Sequence, residues 1–568
     1  MSTDEANGQA NGYRDTQLHQ PRARKTLDPR FARDFSDEVA SDRLTPGSGN
    51  ISGPGTPAPP DDAPPSVKAT SAARKHVRRK TRQQRLFPSI EYEERVSHFD
   101  PKSSYSNFRG FFVLFWIGLA IMILTSMLRN LKETGRLLNF KQWPLFTKDL
   151  FELALSDAFM AASTALALPL NLLFMRSHGL LRWNRGGIVI QSVLQVIWLC
   201  FWVGWPFLRD WSWTAQVYFL LHTLALFMKG HSYAFYNGHL ATTLQRLQEL
   251  DQPISPQTPT AAAVRYPHAY TGSAPSEQDD GNAKHEHNSS IMQLREDLAT
   301  ELTSPLGNVS YPQNLTLRNF AFYLMCPTLC YELEYPRTPS RSYMELFYKT
   351  LAVFGCIFLI TVTTEEFILP VLHESAIRLQ VTQNWIDSSL IFAETVSSLL
   401  FPFMIIFLLV DNASHELWSW LLIFSKVFLV IFEYVLGAFA ELTRFGDRQF
   451  YSDWWNSTSW LEFSREWNKP VHHFFHRHVY LASRGVNLSR PVATVITFLI
   501  SALAHELIMG SITRKARGYS FFLMMLQIPL TAAQQIPWVK KRELLNNIMF
   551  WISMILGLSL LCALYVLV

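Results

Sequence analysis

The sequence predicts an all-α polytopic membrane protein, and three observations lead there. Windows of 18 or more apolar residues recur along most of the chain, each long enough to cross about 30 Å of hydrocarbon. Charged or Pro-rich segments separate them, so the 568 residues divide into spans and polar connections rather than soluble domains. No stretch is left over for a soluble catalytic domain, so any chemistry has to take place inside the membrane bundle.

Bulk properties narrow the function classes. A formal net charge of +5 is too small to argue for nucleic acid, and no stacking or zinc-binding motif accompanies it. Cys200, Cys326, Cys330, Cys356 and Cys562 lie mostly in or beside apolar segments and offer no disulfide framework. Cys326-x-x-x-Cys330 alone lacks the ligand set of a metal site, so no metal is expected. The polar N-terminus shows no cleavable signal pattern, which leaves insertion to the first span.

Residues 1–105 are rich in Ser, Pro, Asp, Arg and Gly with no apolar period, and are expected to be disordered. The basic run at 74–82 reads as a solvated tail obeying the positive-inside rule, which places the N-terminus in the cytosol. An anionic-lipid contact is the sharper alternative. The membrane domain is expected over 106–568. Its first apolar windows are 111–128, 157–174, 187–208 and 211–227, with Pro206 a candidate break in the third. Residues 228–238, from Met228 through Lys229, His231 and Tyr236, read as a polar-aromatic segment leaving the membrane. Residues 250–312 turn to Pro, Thr, Gln, Asp and His, the composition of a long disordered loop.

Order is expected to resume at Phe320. Cys326–Tyr331 and Tyr335-Pro336-Arg337 bracket a short extended or turn segment, because each Pro biases its predecessor away from helix. A fifth window covers 350–372. The region 388–442 is too long for one span and is interrupted by Asp411-Asn412-Ala413-Ser414-His415-Glu416, so it holds two helices or one helix with an insertion. Windows at 492–512, 519–537 and 546–568 bring the count to nine or ten spans.

The stretch 450–506 concentrates the candidate chemistry. It opens on the aromatic heptapeptide Phe450-Tyr451-Ser452-Asp453-Trp454-Trp455-Asn456, suited to a membrane surface. Trp460, Phe463, Trp467 and Val471 follow at spacings of three and four, one apolar stripe on a helix. Lys469, His473, His476 and Arg477 crowd its end, the pattern of an amphipathic helix lying on the cytosolic leaflet. His505 then falls deep in an apolar span, with Ser501 one turn earlier and Glu506 pointing about 100° away. A His there is expensive unless it pairs or lines a polar cavity. One reading is a His bonded between helices. The other is a general base, since burial keeps an imidazole neutral and an acceptor nitrogen available.

No nucleophile elbow or phosphate loop accompanies it. Direct attack needs only a base and a polariser: a lipid hydroxyl deprotonated by His505, and an acyl carbonyl held by Asn468. The cationic rim from His472 to Arg490 would suit the phosphates of coenzyme A. A transporter with His505 as proton relay is the reading from another class, and it predicts internal repeats that the sequence does not show.

Several motifs in order complete the picture. The heptapeptide, Trp467-Asn468-x-Pro470-Val471-His472, the span with Ser501 and His505-Glu506, and Pro327-Thr328-Leu329 with Tyr335-Pro336-Arg337 together resemble the membrane-bound O-acyltransferases. Lys229-x-His231-Ser232-Tyr233 and Phe235-Tyr236-Asn237-Gly238 resemble its sterol O-acyltransferase branch, fungal members above all; diacylglycerol O-acyltransferase is the alternative. The resemblance implies an endoplasmic-reticulum enzyme with no cofactor, acyl-CoA as co-substrate and a sterol as acceptor. His505 and Asn468 match the family's catalytic pair. Acyl-CoA contacts are implied for Trp455, Trp467, His472, Tyr480, Arg490 and Ser501, and self-association as a homodimer or homotetramer. The family has one uninterrupted helix before the heptapeptide, whereas here residues 411–427 interrupt it.

Overall fold

The computed structural model describes residues 87–97 (save 91), 148–251 (save 178), 294–363 (save 306), 368–407 and 430–567, with scattered positions between 120 and 135 and at 292. The basic run at 74–82, most of the window 111–128 and the interruption at 411–427 lie outside the described residues. Among the described residues the regular structure is helical, with three isolated β-bridges and no strand.

Among the described residues four stretches are long and apolar enough to cross a bilayer: Leu150–Arg176, Trp183–Leu208, Arg490–Thr513 and Glu543–Leu567. The first comprises α1 (Leu150–Ser163), a 3-10 turn and α2 (Ala167–Arg176). The second opens on a π-turn and continues as α3 (Ile188–Leu208). Pro206 does not break α3. It sits in the last turn, where the helix ends two residues later and few further backbone bonds are lost.

The largest departure from the sequence reading is α4 (Trp213–Asp251), 39 residues of continuous helix. Residues 228–238 do not leave the bundle; they are the middle of α4. Gln216, Phe219, Thr223, Leu226, Lys229, Tyr233, Tyr236, Leu240 and Thr243 are all buried, at the three- and four-residue spacing of one stripe. Polar residues survive there because they are bonded. Lys229 Nζ donates to the carbonyls of Tyr323 (3.0 Å), Cys326 (2.6 Å) and Thr328 (2.7 Å), and Asn237 Oδ1 accepts from Asn314 Nδ2 at 2.8 Å. The Lys229 motif thus anchors the turn at 326–331 after α5 (Leu317–Met325). Burial pushes the Cys326 and Cys330 thiols in that turn up, to about 11 and about 12.

Two segments assigned to disorder are folded. Residues 294–315 form a helical turn and a tight loop, with Glu301, Leu302, Tyr311 and Asn314 buried. Residues 87–97 lie as a strap along the core. Phe87 packs edge-on to Tyr236 at 5.2 Å, Ile90 N–H donates to Glu332 Oε1 at 2.9 Å, and Arg95 pairs backbone to backbone with Gly446 and Arg448. The strap supplies aromatic rings and backbone donors to partners far away in the chain, a pairing without local periodicity.

The fifth window resolves into α6 (Tyr343–Thr363) and α7 (Leu369–Val381), followed by α8 (Trp385–Phe407) and α9 (Leu436–Thr443). The heptapeptide does not lie at a surface. Phe450, Tyr451, Trp454 and Trp455 are buried in the principal aromatic core with Tyr233, Tyr323, Tyr331, Tyr335 and Phe445. Nor does the segment after it lie on a leaflet as one helix. It breaks into α10 (Trp460–Glu466), α11 (Lys469–Phe474), a π-turn at Phe475–Tyr480 and α12 (Leu481–Gly485), because Asn468 caps a new helix and Pro470 occupies its first turn. Its apolar stripe faces protein: Trp460 meets Phe550 at 5.3 Å and Trp467 meets Trp454 at 4.8 Å. The remaining helices are α13 (Arg490–Thr513), α14 (Tyr519–Gln534), α15 (Pro537–Lys540) and α16 (Glu543–Leu567).

Candidate active site

His505 lies eight residues before the end of α13, about 12 Å along the helix from Thr513. Its Nδ1–H donates to the carbonyl of Ser501 at 2.8 Å. A ring nitrogen that donates to a carbonyl holds the proton, so the lone pair of the neutral imidazole is on Nε2, pointing away from the helix backbone. The side chain is exposed rather than enclosed, and only 11% of the apolar window of α13 is buried. Among the described residues no wall encloses the ring, which reaches back over its own preceding turn instead of into a neighbouring helix.

The adjacent acid has a structural task. Glu506 accepts from the backbone N–H of Gly518 (2.7 Å) and Phe521 (3.2 Å), and from Tyr565 Oη at 2.6 Å. It therefore ties α13 to the start of α14 and to α16, which fixes the rotation of α13 and with it the direction of His505. Charge-assisted bonds of this kind are about twice as strong as neutral ones.

Asn468 is half-buried at the start of α11. Its Oδ1 accepts from Val471 N–H at 3.1 Å, the bond of a helix N-cap. With the oxygen committed, the side-chain amide presents Nδ2, which has no partner among the described residues. The tract from Asn468 runs into the Phe475–Tyr480 turn, which packs along α13.

Residues 131–567 match the membrane-bound O-acyltransferase family. The chain belongs to that family. It is an enzyme, an acyl-CoA-dependent O-acyltransferase acting in a membrane. It is similar to a probable sterol O-acyltransferase 2 of Schizosaccharomyces pombe, 38% identical over 81% of this chain and 87% of that protein. It is also similar to sterol O-acyltransferase 2 of Candida albicans, 31% identical over 86% of this chain and 80% of that one. A diacylglycerol O-acyltransferase 1 of Dictyostelium discoideum is 33% identical but over only 49% of this chain and 41% of its own length.

The acyltransferase disposes its other candidate residues in three places. His472, His476 and Tyr480 stack as a column along α11 and the following turn, with ring centroids 5.9 and 5.7 Å apart. Trp455 is buried, its carbonyl accepting from Asn547 Nδ2 at 3.3 Å, and Trp467 is half-buried against Trp454 and Phe463. Ser501 lends its carbonyl to His505 on α13, while Arg490 is exposed at the first position of that helix. Column and α13 lie side by side through the Phe475–Tyr480 turn; the two tryptophans belong to the aromatic core.

One member of the expected cationic rim is not on it. Arg477 is 4% exposed. Its Nη1 donates to Tyr331 O (3.1 Å) and pairs with Glu332 (3.0 Å), and its guanidinium lies over the rings of Phe87 and Tyr236. A helix two turns long cannot turn every charge outward, and this one faces the core. His478 beside it bonds Ser232 Oγ at 2.9 Å, fastening the turn to α4. Burial first, and the Arg477 charge second, hold the His478 imidazole well below the usual histidine range, so it stays neutral at working pH.

Arg477→Ala is expected to be strongly destabilising, by about 3–5 kcal/mol, because Glu332 would be left buried without its partner. Thermal unfolding of the purified protein in detergent checks this, and an unchanged melting temperature would contradict it. Sequence reading missed Lys229 and Arg477 as structural anchors, since their partners lie about 100 and 145 residues away.

Proposed function

We propose that the enzyme is a sterol O-acyltransferase, moving a long acyl chain from acyl-CoA to the sterol 3-hydroxyl in the endoplasmic-reticulum membrane. The carrying observation is the similarity to proteins named sterol O-acyltransferase over four-fifths or more of this chain. Nε2 of His505 takes the hydroxyl proton as the sterol oxygen attacks the thioester carbon. Nδ2 of Asn468 donates to the carbonyl oxygen as charge builds there. The C–S bond then breaks, and the imidazolium returns its proton to the leaving thiolate, releasing CoA. The Nδ1–H bond to Ser501 supports this assignment, because it fixes the tautomer that a base needs. Acyl-CoA would lie along the His472–Tyr480 column, with Trp455, Trp467, Arg490 and Ser501 as further contacts. Nine or ten spans, a cytosolic N-terminus and a homodimer or homotetramer complete the reading.

Membranes given labelled oleoyl-CoA with either sterol or diacylglycerol provide the test. Label is expected in steryl ester. Label confined to triacylglycerol would overturn the sterol assignment and favour a diacylglycerol O-acyltransferase.

A further inference from the structure

Another imidazole lies between α1 and α4, outside the reaction as described. His222 of α4 donates through Nδ1 to Asp157 Oδ1 of α1 at 2.6 Å, and Tyr218 Oη approaches Asp157 Oδ2 at 3.5 Å. The two side chains are 34% and 19% exposed. With Nδ1 committed to the carboxylate, Nε2 of His222 has no partner among the described residues.

The depth of this pair follows from contacts. Glu152 of α1 bonds Arg209 and Trp211, and Arg514 at the end of α13 lies against Asp210 and Trp211 O. The start of α1, the start of α4 and the end of α13 therefore share one face of the bundle. Measured from that face, Asp157 lies about 10 Å along α1, His222 about 14 Å along α4, and His505 about 12 Å along α13. The pair is at the depth of the proposed base.

Its surroundings are apolar. Leu155, Phe159 and Leu221 of the same two helices are 48%, 62% and 46% exposed, an apolar surface suited to acyl chains. An ionisable pair with an outward nitrogen is costly against hydrocarbon and calls for a polar guest. A phospholipid headgroup cannot follow it to that depth. A lipid whose polar part is one hydroxyl can.

We propose that Asp157 and His222 form a binding site for the hydroxyl of a lipid alcohol, open sideways between α1 and α4. The hydroxyl donates to Nε2 of His222, while Asp157 fixes the ring and its tautomer. Taking the alcohol to be a sterol rests on the function proposed above, and the site would hold it at the depth where His505 works.

Displacement of tritiated cholesterol from the purified enzyme in detergent tests the site without requiring turnover. In the unaltered enzyme and in His505→Ala, unlabelled cholesterol should compete about tenfold better than 5-cholestene, which lacks the hydroxyl, the effect of one hydrogen bond. In His222→Phe the difference should fall to within about twofold, and His222→Gln, which keeps an acceptor, should restore part of it. Preserved discrimination in His222→Phe, or discrimination lost only in His505→Ala, would overturn the proposal. Steryl ester synthesis by the same unaltered enzyme reports on the proposed function separately.

Discussion

Replacing His505 by alanine is expected to abolish ester formation while the protein remains folded. The side chain is exposed and makes one hydrogen bond, to a carbonyl of its own helix. Its removal therefore costs little packing, and exposed positions of this kind change stability by about 0.5 kcal/mol or less. Loss of the proposed base is another matter, because a neutral lipid hydroxyl is a poor nucleophile. General-base removal typically costs about two to four orders of magnitude in rate. Labelled ester formed by purified enzyme, with a melting curve on the same sample, checks both halves. Turnover near that of the unaltered enzyme would remove His505 from the mechanism.

The second large effect is expected at Asn468, where two roles have to be separated. Asn468→Ala removes the proposed carbonyl donor and also the N-cap of α11. The first loss should lower turnover about 10²–10³-fold, and the second should cost about 1 kcal/mol of stability. Asn468→Asp distinguishes them. A carboxylate oxygen still accepts from Val471 N–H, so the cap is kept, but the donor Nδ2 is gone. Turnover should fall as far as in Asn468→Ala while the melting temperature recovers. If aspartate restored turnover, the residue would act only as a helix cap.

The sequence made the spans legible wherever an apolar run was uninterrupted, as in α3, α13 and α16. It also placed Ser501 on the His505 face, since four residues is one helical turn. What it hid was every feature set by partners distant in the chain. Residues 228–238 read as leaving the membrane because they are polar; in the fold they stay packed against protein, because Lys229 and Asn237 find carbonyls and amides about 80–100 residues away. The heptapeptide reads as an interfacial belt by composition, and its packing against Phe432, Phe445 and Trp551 makes it core. The strap at 87–97 has a polar composition and gains its order from Glu301, Glu332 and Asp447. Asp157 and His222 each sit alone in an apolar window, 65 residues apart, and become a pair only when α1 lies against α4.

In the proposed mechanism the thioester is held between the side-chain amide of Asn468 and the unprotonated nitrogen of His505. An experimental structure of His505→Ala with oleoyl-CoA bound would measure it most directly, since that variant should trap the unreacted thioester. The carbonyl oxygen is expected about 3 Å from Nδ2 of Asn468, with the thioester carbon facing the space vacated by the imidazole. A thioester lying on another face of α13, out of reach of the Asn468 side chain, would contradict it.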